Sequence, residues 1–144
     1  QLAISMHSAD QEKRTELMPV NKANTLGKLA EALKYYHQKT GNRITFEYIL
    51  FHDVNDQEGD AWQLARYCRQ FPSKINLIEY NPVDGLPFEK ASEAATRKFK
   101  EFLEARNMIV NVRMSRGKDI DAACGQLANK LKTGVRNVHK SANK

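Results

Sequence analysis

The apolar positions of this chain change period along its length. Leu2, Ile4 and Met6 alternate with Ala3, Ser5 and His7, so Leu2–His7 reads as a strand with one apolar face. Ser8 to Asn24 is polar and broken by Pro19, with one short helix expected at Gln11–Leu17. Leu26, Leu29, Ala30 and Leu33 then fall at helical spacing, with Asn24 or Thr25 as the cap and Gly41-Asn42 as the stop. Arg43–Phe51 returns to alternation: Ile44, Phe46 and Tyr48 face one way, Thr45, Glu47 and Ile49 the other. A polar loop, His52–Gln57, leads to a helix striped by Ala61, Leu64, Ala65 and Cys68. Ser73–Asn81 is the third predicted strand, followed by the loop Val83–Phe88. Ser92 caps a helix striped by Ala95, Phe99, Phe102 and Leu103. Met108–Met114 is the fourth strand, Ser115–Ala123 an irregular stretch, and Gln126 to about Lys132 a last helix.

Strands alternating with helices predict parallel β/α units. No Gly-x-Gly-x-x-Gly follows a strand, which disfavours a dinucleotide-binding sheet. The predicted second face of the strands carries Ser5, His7, Thr45, Glu47, Glu79 and Asn81. A parallel strand buried on both sides would be continuously apolar, so this face predicts a barrel lumen that holds a polar ligand. In such folds the chemistry gathers at the C-terminal ends of strands, where His7 and Asn81 lie. The chain opens inside a strand without a starting Met, and too few β/α units are present to close a barrel. The expectation is a piece of a longer protein.

Composition narrows the classes. With 41% apolar and 28% charged residues the chain can bury a core, and no apolar run approaches the roughly 20 residues that cross a bilayer. Two distant cysteines, Cys68 and Cys124, fit a reducing cytosol and form no Cys-x-x-Cys pair. The net charge is +6, and after Asp121 no acidic residue occurs while Lys130, Lys132, Arg136, Lys140 and Lys144 follow. That tail reads either as a nucleic-acid contact or as a solvated terminus. The organisation expected is residues 1–128 in the barrel and 129–144 as a basic tail.

Individual residues leave alternatives open. Cys68, on an apolar helix stripe, reads as a packing thiol. Cys124, in Asp119-Ile120-Asp121-Ala122-Ala123-Cys124-Gly125-Gln126, has small neighbours that leave its sulfur reachable, and reads equally as functional or structural. His7 is a hydrogen-bonded spacer or a ligand. Glu47 is a base, a ligand contact or one half of a lumen ion pair. Arg113, Arg116 and Lys118 bind phosphate or are solvated loop charges.

Six ordered segments converge on one family. Leu2-Ala3-Ile4-Ser5-Met6-His7, Glu16-Leu17-Met18-Pro19-Val20-Asn21-Lys22, Phe46-Glu47-Tyr48-Ile49-Leu50, Asp53-Val54-Asn55-Asp56, Asn76-Leu77-Ile78 with Asn81-Pro82, and Arg116 to Leu127 resemble the C-terminal half of the radical-SAM adenine C2 methyltransferases of ribosomal and transfer RNA. The likeness runs from Leu2 to about Leu127. It implies an α/β fold, the C-terminal half of an open partial (β/α)6 barrel. It implies S-adenosyl-L-methionine (SAM) contacted by Ser5, Met6, His7 and Asn81, with Met6 standing where the family has Leu. It implies a [4Fe-4S] cluster in the whole enzyme, a reducing partner such as flavodoxin, and 23S rRNA and tRNA as substrates. Cys124 matches the cysteine that carries the methyl group: one SAM methylates its sulfur, a second SAM is cleaved to a radical that activates the S-methyl, and the resulting carbon radical adds to C2 of adenine. The cluster-binding Cys-x-x-x-Cys-x-x-Cys motif, the Gly-rich Glu-Pro segment and the resolving cysteine are absent from this chain. The chain alone is therefore expected to bind no iron and to show no turnover. The sister enzymes that methylate C8 and a non-catalytic RNA-binding α/β module are the rival readings. A thiol redox protein is disfavoured by the lack of a second cysteine near Cys124.

Overall fold

The computed structural model describes residues 2–82, 86–117 and 119 of the 144-residue chain. Strands β1 (Ala3–Ser5), β2 (Ile44–Leu50), β3 (Ser73–Glu79) and β4 (Ile109–Met114) form one sheet in the order β1-β2-β3-β4, every pair parallel. Between β1 and β2 run helix α1 (Gln11–Leu17), a 3-10 turn (Pro19–Lys22) and helix α2 (Leu26–Thr40). Helices α3 (Glu58–Cys68) and α4 (Glu93–Glu104) make the next two crossovers.

Local signals set most element ends. Asp10 accepts from the Lys13 N–H at 2.9 Å, Thr25 from Lys28 at 3.3 Å and Ser92 from Ala95 at 3.0 Å, capping α1, α2 and α4. Gly41 closes α2 at φ 69°, a left-handed position that costs other residues more. The strands are shorter than alternation alone predicts. β1 stops at Ser5 because His7 turns to φ 56°, and β3 stops at Glu79 because the Asn81 N–H turns to the Ser115 Oγ, 2.8 Å away.

The register explains the core. Ile4, Phe46, Ile75 and Val110 align across the sheet, and with Met6, Tyr48, Leu50 and Leu77 they meet Leu33, Leu64, Ala65, Cys68, Phe99 and Leu103 in one cluster. The long helices thus cover a single face. A doubly wound sheet places helices on both faces and reverses its strand order; a sequential order with helices on one face is an arc of a β/α-barrel. At the far edge of that face, Val112 and Met114 on β4 are exposed.

The opposite face is less uniformly polar than expected. Its lower row is Ser5–Glu47–Asn76–Asn111 and its next row is Ile49–Ile78–Arg113. Ile49 and Ile78 lie under a second apolar cluster formed with Leu17, Met18, Phe51, Tyr80 and Phe88, in which the rings of Phe51 and Phe88 stack at 4.0 Å. Glu79, expected on this face, is in register with Leu50 and Met114 on the helix side, and its carboxylate pairs with Lys90 at 3.4 Å. One residue of parity decides the face, and Asn76 rather than Glu79 shares that of Glu47. The expected last helix at Gln126–Lys132 and the boundary at residue 128 lie outside the described residues.

Candidate active site

The polar face is organised around the end of β1. His7 is 1% exposed, in the left-handed conformation, with its Nδ1 accepting from the Ile49 N–H at 3.1 Å. The imidazole so takes the place of a ladder carbonyl that β1 no longer supplies. An Nδ1 that accepts puts the proton of the neutral ring on Nε2. That Nε2–H is buried and has no hydrogen-bond partner among the described residues. Burial, reinforced by the Arg14 charge, pushes the imidazole pKa down to about 3, so His7 is a neutral donor at physiological pH.

Two residues hold His7 in place. Asn55, fully buried, donates through Nδ2 to the carbonyls of His7 and Ile49, both at 2.8 Å, and accepts from the Phe51 N–H at 2.8 Å. Arg14, buried on α1, donates from Nε to the Met6 carbonyl at 3.2 Å and from a terminal nitrogen to the Ser5 carbonyl at 3.1 Å. Its other terminal nitrogen meets the buried Asn21 Oδ1, and Asn21 is fixed in turn by Thr15 Oγ1 at 2.8 Å. The last peptides of β1 are thus bound from beneath by a guanidinium, and their carbonyls cannot drift. Sequence reasoning missed Arg14: one arginine in a polar helix gives no signal of burial. Asn21 and Asn55 lay inside segments of the family resemblance but carried no assigned role.

The sequence-predicted residues separate into three groups. Ser5 and His7 stand together at the end of β1, and Asn81 follows the end of β3, two inter-strand steps or roughly 10 Å across. Met6 points the other way: it is fully buried in the helix-side cluster, and its backbone amide bonds the Glu47 carbonyl at 2.8 Å. Cys124 lies outside the described residues. Cys68 is the packing thiol expected, fully buried, with its pKa pushed well up by that burial.

Glu47 resolves toward its lumen ion-pair alternative. Its carboxylate is 3.7 Å from Arg113, which on its other side grips Asp119 through two hydrogen bonds of 2.8 Å each. Asp119 also accepts the Arg116 N–H at 2.7 Å, and these donors, Arg113 first, hold its carboxyl down to about 2. Arg113 is therefore committed to carboxylates rather than free for phosphate.

A sequential parallel arc with helices on one face, polar side chains on the other and a buried donor at a strand end defines a segment of a β/α-barrel. A solved radical SAM methyltransferase from Sphaerobacter thermophilus superposes with a TM-score of 0.78 at 41% identity, over 88% of this chain and 37% of that one. A domain of a pyruvate-formate lyase-activating enzyme from Bacteroides vulgatus shares the fold, with a TM-score of 0.61 at 18% identity over 77% of this chain and 65% of that one. Within the class, the chain belongs to the RlmN family. It is 54% identical over 129 residues to a probable dual-specificity RNA methyltransferase RlmN from Christiangramia forsetii, and 55% identical over 130 residues to that from Salinibacter ruber. The RlmN of Francisella tularensis subsp. novicida is 46% identical. These matches cover about nine-tenths of the chain, 90%, 89% and 88%, but only 37%, 35% and 35% of the relatives' own length. No protein-family model matches the chain.

The residues present fit SAM and not the cluster. An aminoacyl carboxylate or ribose hydroxyl needs donors, and the His7 Nε2–H is a buried donor without a partner among the described residues, with Ser5 two positions before it at the end of β1. A cluster held by three thiolates cannot be ligated by a chain with two cysteines, and no group of three metal-binding side chains occurs among the described residues.

Proposed function

We propose that this chain is the SAM-facing and methyl-carrying part of a cytoplasmic radical-SAM enzyme that methylates C2 of an adenosine in 23S rRNA and in tRNA. The buried Nε2–H of His7, without a partner among the described residues, is the observation that carries the reading beyond family likeness. A buried donor with no acceptor costs about 1–3 kcal/mol, which a bound ligand offsets. SAM, with a [4Fe-4S] cluster ligated elsewhere in the full-length protein and reduced by a partner such as flavodoxin, supplies the methyl group and the one-electron chemistry.

The chain's own residues do the rest. His7 donates to an acceptor of SAM without titrating, because its pKa is far below neutrality. Ser5 and Asn81 add polar contacts from β1 and the end of β3, and Met6 shapes the strand from the core side. Arg14 and Asn55 keep that strand end rigid, so the donor is set before the ligand arrives. Cys124 is the methyl carrier. It needs a reachable sulfur rather than a permanent thiolate, so Asp119 and Asp121 nearby are tolerable. The basic run after Asp121 contacts RNA phosphates.

The test is methylation by the full-length protein in a methylation-deficient host. The methyl is expected at C2, and Cys124→Ala is expected to abolish it. A methyl at C8 would place the protein with the sister enzymes. Methylation that survives Cys124→Ala would remove the carrier role. The chain by itself, reconstituted anaerobically with iron and sulfide, is expected to show no cluster absorbance.

A further inference from the structure

The two ends of the sheet use their cations differently. At the C-terminal ends of the strands Lys13 pairs with Asp60, Lys90 with Glu79 and Arg113 with Asp119, while Arg14 holds carbonyls. At the N-terminal ends lie the loops that enter β2, β3 and β4, residues 41–43, 69–72 and 105–108. These loops contain one arginine each and no Asp or Glu. The three arginines, Arg43, Arg69 and Arg106, line one cavity of about 280 Å³ together with Phe71, Pro72 and Met108. Among the described residues no acidic side chain lines this cavity, and none of the three arginines makes an ion pair.

The backbone around the cavity is fixed. The Ile44 N–H donates to the Pro72 carbonyl at 3.0 Å, which joins the first two loops, and the Ser73 hydroxyl donates to the Cys68 carbonyl at 3.2 Å. Arg106 donates from Nη1 to the Phe102 carbonyl at 2.9 Å, and its guanidinium lies 3.4 Å from the centroid of the Phe102 ring. That stacking sets the plane of the fork and leaves its remaining donors for an anion. Cations also gather at helix C-termini because of the macrodipole, which accounts for Arg69 and Arg106 one at a time. It does not account for Arg43, which precedes a strand, or for the convergence of all three on one cavity. Each helix end brings about half a negative charge, so three guanidinium groups leave the cavity net positive.

We propose that Arg43, Arg69 and Arg106 form a binding site for a backbone phosphate of the RNA, at the end of the sheet opposite the candidate SAM site. The inference rests on RNA as the substrate of the full-length protein. Guanidinium forks match the oxygens of a phosphate, and three of them without carboxylate partners suit an anion brought by the ligand. β2 and β3 have 7 residues each, so about 23 Å separates this cavity from the strand ends that carry His7 and Asn81. One SAM molecule does not touch both ends; a folded RNA does. The outer helices add stacking surfaces of the kind nucleic acids use: Tyr35, 63% exposed, lies under Lys39 and Trp62, 49% exposed, under Arg66.

The test reads binding rather than methylation. Full-length protein is titrated into fluorescein-labelled tRNA at about 50 and 200 mM salt, with anisotropy as the signal. Arg43→Gln, Arg69→Gln and Arg106→Gln together are expected to weaken binding and to make the salt dependence shallower by about 0.7–0.9 in log–log slope, the loss of one phosphate contact. The deficit against wild type is then roughly threefold smaller at the higher salt, and it is the same for an RNA of unrelated sequence. The triple lysine variant, which keeps the charges, is expected to keep the wild-type slope. Removing three exposed charges elsewhere, with Lys28→Gln, Arg97→Gln and Lys98→Gln, is expected to leave the slope unchanged. Should the triple glutamine variant lack the native circular dichroism, Arg43→Gln with Arg69→Gln decides, since these two side chains make no hydrogen bond among the described residues, and a shallower slope is again expected. An unchanged slope overturns the site, and inorganic phosphate that still binds wild type but not the variant would assign the cavity to a small phosphate instead. An equal change in the control variant overturns it too, by reducing the effect to net charge. A protein that binds RNA through these arginines but leaves no methyl on it would remove the proposed activity and keep the site.

Discussion

Acidification should destabilise this fold through His7 by an amount that can be worked out. In the fold the ring titrates at about 3; in the unfolded chain it titrates near 6.5. The unfolded state therefore binds a proton that the native state refuses, and stability is full above the unfolded pKa and falls with pH until the folded pKa is passed. Between pH 7.5 and 4.5 the difference grows from nearly zero to about 2.7 kcal/mol, two decades of proton affinity at 1.36 kcal/mol each. His7→Asn is the informative variant. Asparagine tolerates the left-handed backbone of this position, at φ 56°, and its Oδ1 can accept the Ile49 N–H in place of Nδ1. Urea unfolding followed by circular dichroism at both pH values, for both proteins, isolates the histidine because every other titrating group is shared. With a slope of about 1–3 kcal/mol per molar, the wild-type midpoint should drop by roughly 1–3 M more than that of the variant. Parallel pH dependences in the two proteins would refute the neutral, buried imidazole and the ligand-donor role built on it.

Arg14→Met keeps the aliphatic length but leaves the Ser5 and Met6 carbonyls and the Asn21 Oδ1 without their donor; a loss of about 3–5 kcal/mol is expected from urea unfolding, and wild-type stability would show the guanidinium to be dispensable. Cys68→Ser buries a hydroxyl where a thiol packed and should cost about 1–3 kcal/mol, while native-state thiol titration of the wild type should count Cys124 and not Cys68.

The alternation of Leu2, Ile4 and Met6, the helical stripe from Leu26, and the caps at Thr25, Gly41 and Ser92 were readable because each follows from a local rule that the fold does not override. The sequential parallel sheet followed from the alternation of periods. What failed was fine parity: Glu79 looked like a lumen residue because polar strand positions look alike, and only the register with Leu50 places it on the helix side. The same limit hid the apolar cap over Ile49 and Ile78, which is built from loop residues such as Met18 and Phe88 that no period marks. At the site, His7 was visible as a strand-end residue, but its tautomer and its missing partner depend on Ile49, 42 positions away. Arg14, Asn21 and Asn55 act through backbone carbonyls brought together only by folding. Arg113 read as a phosphate contact or a solvated loop charge because its partners, the distant Glu47 and the nearby Asp119, are brought onto it only by folding.

The carrier role of Cys124 is the centre of this account, and peptide mass spectrometry addresses it directly. Full-length protein purified from cells with an intact SAM supply is digested, and the peptide that spans Ala123-Cys124-Gly125 is sequenced in the spectrometer. The account predicts a population of that peptide carrying one methyl group on the Cys124 sulfur, with Cys68 unmodified. Unmethylated Cys124 throughout, in a preparation that methylates RNA, would contradict it.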